Sequence, residues 1–180
     1  MMAARMASAL VLAGCLAGAL AGDALRPVAA NSPAWFEVKW PFLIDQWGLG
    51  RAFRCRPCAG NVVLYVRAKV GFCNCSTGVA DDDEIDRVGD LGLIGAQARP
   101  RGEGSLVMVG WMRGRSRAFE IDGSNQPQRF AVTVALANKC DAVVATIVAS
   151  EPLPPDTERA ALFFLGSDPL LGWVRANTGL

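Results

Sequence analysis

Histidine is absent from all 180 residues. The chain therefore lacks the one side chain that ordinarily titrates around neutrality, and with it the commonest general base. Serine–histidine–aspartate and cysteine–histidine catalysis are excluded, as are histidine-ligated zinc, copper and haem centres. Carboxylates, thiols and arginine are left for any chemistry, and no motif among them specifies a reaction. The sequence points away from an enzyme, and no cofactor or metal is assigned.

Lysine is scarce as well. Lys39, Lys69 and Lys139 stand against fifteen arginines, a bias that reads as genome composition rather than a demand for bidentate anion binding. An excess of either charge is missing. Without an amino-terminal leader carrying Arg5, seventeen basic side chains face seventeen acidic ones. Nucleic acid and anionic membrane surfaces require a strong positive field, so neither is an expected partner. Long apolar runs are also lacking. Residues 6–21 fall short of the ~20 needed to span a bilayer, and residues 130–149 are broken by Asn138, Lys139 and Asp141.

The amino terminus carries the clearest signal. Arg5 is the only charge before Asp23, and it precedes an Ala/Leu/Gly run ending in Ala19-Leu20-Ala21, a signal-peptidase site. Leu12-Ala13-Gly14-Cys15 overlaps it with the spacing of a lipoprotein site, which would lipidate Cys15. Residues 1–22 are read as an export signal, with ordinary secretion preferred over lipidation. Either route leads to the periplasm or cell envelope, with membrane attachment only if Cys15 is lipidated. Residues 23–34 hold Pro27 and Pro33 without periodicity and read as a flexible leader.

Residues 35–180 read as one domain. In residues 35–42, Phe36, Val38, Trp40 and Phe42 are expected inward, and Pro41 places this strand's end at a sheet edge. A short strand over 51–55 leads to a longer one over 62–72. There Val62, Leu64, Val66, Ala68, Val70 and Phe72 share one face, while Tyr65, Arg67 and Lys69 share an opposite, partly wet one. Ile85, Val88 and Leu91 recur at helical spacing behind an acidic first turn. Strands are expected over 106–112 and 117–121, joined by a turn at Arg113-Gly114-Arg115-Ser116, then over 130–136 and 142–149. A helix capped by Asp156 or Thr157 runs to Leu165, and a last one follows Ser167. The class expected is α+β: an antiparallel sheet of about six or seven strands with helices packed on one face.

Five cysteines fall within the domain: Cys55, Cys58, Cys73, Cys75 and Cys140. A four-thiolate metal site would need Cys55, Cys58, Cys73 and Cys75 around one ion, yet the intervening strand would separate the pairs by ~33 Å. An exported compartment favours disulfides instead. Cys55-Arg56-Pro57-Cys58 resembles the C-x-P-C of thioredoxin-like sites but lacks the following helix, so a structural bridge is the expected reading. Cys140 is expected to bridge to Cys73 or Cys75.

Asp81 to Asp86 could offer carboxylates to calcium, but Asp81 with Glu84 three residues on is the pattern of a capping box. Arg113, Arg115 and Arg117 form the one concentrated positive patch, suited to a phosphate, sulfate or carboxylate if not merely a solvated turn. Trp47, between Gln46 and Gly48, reads as a mobile, partly exposed contact aromatic.

The stretches Gly71-Phe72-Cys73-Asn74-Cys75, the acidic run and Gly110 to Arg115 are similar to those of exported proteins of Gram-negative bacteria with no assigned activity. That resemblance implies export and a single domain, and no site residue. The leading expectation is an exported, non-enzymatic binding or accessory protein. It would take an envelope protein or small anionic ligand at Trp47 and Arg113, Arg115 and Arg117. The alternatives are a thiol-disulfide protein using Cys55 and Cys58, or a structural lipoprotein anchored at Cys15.

Overall fold

The computed structural model describes residues 33–72, 74–95, 97–123 and 126–178. The export signal, most of the leader, Cys15 and Cys73 lie outside the described residues. One sheet organises the rest. Its strands are β1 (Ala34–Val38), β2 (Arg51–Arg56), β3 (Val63–Lys69), β4 (Gln97–Pro100), β5 (Ser105–Val109), β6 (Met112–Gly123), β7 (Gln126–Asn138) and β8 (Asp141–Ala149). The order across the sheet is β1-β2-β3-β8-β7-β6-β4, with β5 also on β6. Every pairing is antiparallel.

The α+β class stands, with eight strands among the described residues rather than six or seven. The additional strand is β4, whose Gln-Ala-Arg-Pro sequence carries no apolar alternation to announce it. Among the described residues four helices accompany the sheet: α1 (Asp82–Val88), α2 (Leu91–Ile94), α3 (Pro155–Leu165) and α4 (Asp168–Asn177). Among the described residues, no helix is long and apolar enough to cross a membrane.

The helices cover both faces of the sheet, not one. Along β7, Val134 and Leu136 pack with Ala161, Leu165, Leu170 and Val174 of α3 and α4. Ala135 between them points the other way and packs with Ile85 and Val88 of α1. Leu91 and Ile94 of α2 pack on that second face too, against Phe119, Ile121, Ala131 and Val148. Adjacent strand residues face opposite sides, so each helix pair shields its own side.

Four local expectations change with this architecture. The face of β3 bearing Arg67 and Lys69 is not wet: they are only 3% and 4% exposed. The arginine cluster is not in a turn. Residues 113–117 lie within β6, and the chain reverses earlier, at Gly110 and Trp111, where Gly110 has φ +58°. At the sheet edge, Phe36 is exposed while Trp35, opposite Cys55, stacks on Phe164 at 5.6 Å. β1 ends at Val38, so Trp40 and Phe42 belong to a loop over Tyr65. Helix α3 starts at Pro155 behind Pro154, ahead of the Asp156 or Thr157 cap expected; proline at the first helical position wastes no amide.

At Gly114 β7 leaves no room for a side chain on β6, since a Cβ there would sit 1.8 Å from the Ala135 carbonyl oxygen. Gly114→Ala is expected to cost ~3 kcal/mol or more, or to prevent folding. Gly172→Ala, in α4 with open space around it, should instead add ~0.5–1 kcal/mol. Thermal unfolding of the two variants beside the parent chain checks both signs.

Candidate functional site

Charge on the second face of the sheet is organised by one acidic segment. Asp81 caps α1, its carboxylate accepting the Glu84 N–H at 2.8 Å, as the capping-box spacing predicts. Asp82, Asp86 and Asp90 then follow at intervals of four. Asp82 meets Arg115 at 2.6 Å and accepts the Gly104 N–H at 2.9 Å. Asp86 meets Arg117 at 2.7 Å. Asp90 takes Arg67 at 2.5 Å and Lys69 at 2.9 Å. Asp45, from the loop before β2, reaches the other side of Arg67 at 2.7 Å.

Two candidate arginines are thereby committed to the fold. Arg115 also donates to the Gly104 carbonyl, and Arg117 to the Gly102 carbonyl. Arg113 shares their face of β6 but is exposed, and among the described residues it has no ion pair. The three arginines are therefore not equivalent: two are paired with acids and Arg113 is not, among the described residues.

Arg113 opens instead onto a cleft of about 400 Å³ whose lining includes Ser76, Thr77, Leu106 and Lys139. The near wall is a tight turn built on Asn74. Its side-chain carbonyl accepts the Ser76 and Thr77 N–H groups, and its backbone carbonyl accepts that of Gly78 at 2.7 Å. Gly78 has φ +63°, and a Cβ there would lie 2.6 Å from the Ala137 methyl, so only glycine lets this wall close on β7. Cys75 of the wall is bridged to Cys140 in the β7–β8 turn, their Cα atoms 4.1 Å apart. The bridge ties the wall to the turn that carries Lys139. Two cations, two hydroxyls and an apolar rim can hold a small molecule with an anionic end.

Trp47 lies elsewhere, partly exposed, and its ring is engaged. Its ring meets Phe72 at 4.5 Å, and both rings face the Lys69 ammonium, at 5.8 and 5.2 Å. The neighbouring Gly48, at φ +73°, serves a turn in which its N–H donates to the Asp45 carbonyl. Trp111 is likewise engaged, donating to Asn138 at 3.2 Å beneath the Arg175 guanidinium. Cys55 and Cys58 are bridged to each other at the β2–β3 turn. The sequence reading missed Ser76, Thr77 and Lys139 because nothing local links them to Arg113.

Several ionisable groups are displaced by these contacts. The Gly104 N–H holds the Asp82 carboxyl below its ordinary value; burial opposes it, and Arg115 and Arg117 then lower it further. Burial pushes Asp45 up, but Arg67 and the Trp47 N–H outweigh it and leave that carboxyl low. Burial likewise lowers Arg67, and Asp90 with Asp45 more than reverses it. Carboxyls depressed in the folded state contribute stability that is complete above their unfolded pKa, ~4, and disappears as pH falls through the folded value. Urea midpoints should therefore hold steady from pH 7 to about 5 and drop below about 4. Asp82→Asn should flatten that drop.

No protein-family model matches this chain, and no curated protein shows significant similarity to it.

Proposed function

We propose that the chain is an exported, non-enzymatic binding protein. Its ligand would be a small molecule with an anionic group, taken up in the cleft between the Asn74 turn and the adjoining ends of β6 and β7. The observation carrying this reading is the inequality among the β6 arginines. Arg115 and Arg117 are neutralised by Asp82 and Asp86, whereas Arg113 has no acidic partner among the described residues and borders the cleft. Ser76 and Thr77 supply hydroxyls beside it, and Leu106, 71% exposed, supplies an apolar lip.

Export is supported by the leader sequence and by two disulfides, which persist in oxidising compartments. The absence of histidine supports binding over catalysis. A guanidinium fits phosphate, sulfate and carboxylate alike through paired N–H donors, so these groups define the ligand class.

Calorimetric titration with phosphate, sulfate and small mono- and dicarboxylates tests the proposal. Arg113→Ala should weaken the best of these by about tenfold or more, the ~1.5–3 kcal/mol of a charge-assisted hydrogen bond. Its thermal unfolding should match the parent, because the Arg113 side chain has no ion pair among the described residues. Binding that survives Arg113→Ala undiminished contradicts the assignment, as does a flat titration across the panel.

A further inference from the structure

The bridge between Cys55 and Cys58 spans three residues, and the turn it closes is already closed by the backbone. Cys55 donates its N–H to the Val62 carbonyl at 3.0 Å, and Ser150 donates to the Gly60 carbonyl at 2.8 Å. The entropic contribution of a disulfide grows with the loop it closes, so this bridge adds little that the hairpin lacks. Cys75–Cys140, whose ends are 65 positions apart in the sequence, does far more for the fold.

The two sulfurs also sit in different surroundings. Cys55 is 5% exposed and packs in the core with Val62 and Leu64. Cys58 is half-buried and borders an open cleft of about 520 Å³. Arg54 and Arg56, two apart on one face of β2, line the same cleft. Both are exposed, and neither has an ion pair among the described residues. A partly exposed sulfur in a positive field, backed by a buried one, is the arrangement expected of exchangeable rather than inert cysteines.

We propose that Cys55–Cys58 is an exchangeable disulfide that oxidises small anionic thiols, with Cys58 as the sulfur that meets them. A ligand thiolate, steered by Arg54 and Arg56, attacks Cys58 Sγ. The bond between the two cysteines breaks, and Cys55 Sγ leaves with the electron pair and takes up a proton. A mixed disulfide remains on Cys58. A second ligand thiolate then attacks the ligand sulfur of that mixed disulfide, releasing Cys58 as a thiolate. Two thiols thus become one disulfide, and the two electrons they lose reduce the cysteine pair.

The test uses the folded, oxidised protein with reduced glutathione as the anionic thiol and 2-mercaptoethanol as the uncharged one. Thiols formed are alkylated and located by peptide mass. Cys55–Cys58 should open at least about tenfold faster than Cys75–Cys140. A doubly neutralised variant, Arg54→Gln with Arg56→Gln, should slow glutathione about tenfold and leave 2-mercaptoethanol within about twofold. Cys55→Ser, whose Cys58 is a free thiol, should take up and hold glutathione on Cys58 when given oxidised glutathione, with one reduced glutathione released. A bridge that opens only when the chain unfolds overturns the proposal, and so does equal slowing of both thiols in the arginine variant.

Discussion

Asp82, Asp86 and Asp90 are the constraint on which the second half of this fold depends. They neutralise Arg115, Arg117, Arg67 and Lys69, four cations projecting from three-dimensionally separate strands, β6 and β3. Burying Arg67 and Lys69 without partners would be costly, since an uncompensated charge in a dry interior costs several kcal/mol. With the carboxylates in place, that face becomes packable, and Ile85 and Val88 can settle on Ala135 and Val144. Asp45 and the Trp47–Phe72 pair close over the same cations from the loop side. Such a network gives little net energy over an apolar equivalent, but it fixes register. A one-residue slip of β3 would turn Leu64 and Val66 out of the core and leave both cations without their acids.

The same pairing determines what is free to act. Charges engaged in the fold cannot recognise a ligand, so in the proposed site only Arg113 of the cluster at residues 113–117 is left to meet one. Its cleft exists because Gly78 permits a close wall and Cys75–Cys140 anchors that wall. At the opposite end of β3, Arg54 and Arg56 form a second positive region beside a different disulfide. The two sites share no residue, so either can be altered without disturbing the other.

What could be read from the sequence was local. Val62, Leu64 and Val66 announced β3 and its core face by simple alternation. Asp81 and Glu84 announced the start of α1 because a capping box is complete within four residues. Pro41 and the short strand before it pointed to an edge, which β1 occupies. What could not be read depended on distant partners. Arg67 and Lys69 looked solvated because Asp90 lies more than twenty residues away. Arg113 to Ser116 looked like a turn because arginine and glycine are common there, and the acids that make it a strand interior come from another element. Helices on both faces escaped notice for the same reason: charged residues hid the second face from a reading based on apolar periodicity.

A double-mutant cycle between Arg67→Met and Asp90→Ala tests the organising role of the acidic segment most directly. If Asp90 is the counter-charge that lets this face close, the two substitutions are strongly coupled, by ~2 kcal/mol or more in unfolding free energy, and removing Asp90 alone costs ~3–5 kcal/mol. Losses that simply add, to within ~0.5 kcal/mol, would contradict the account.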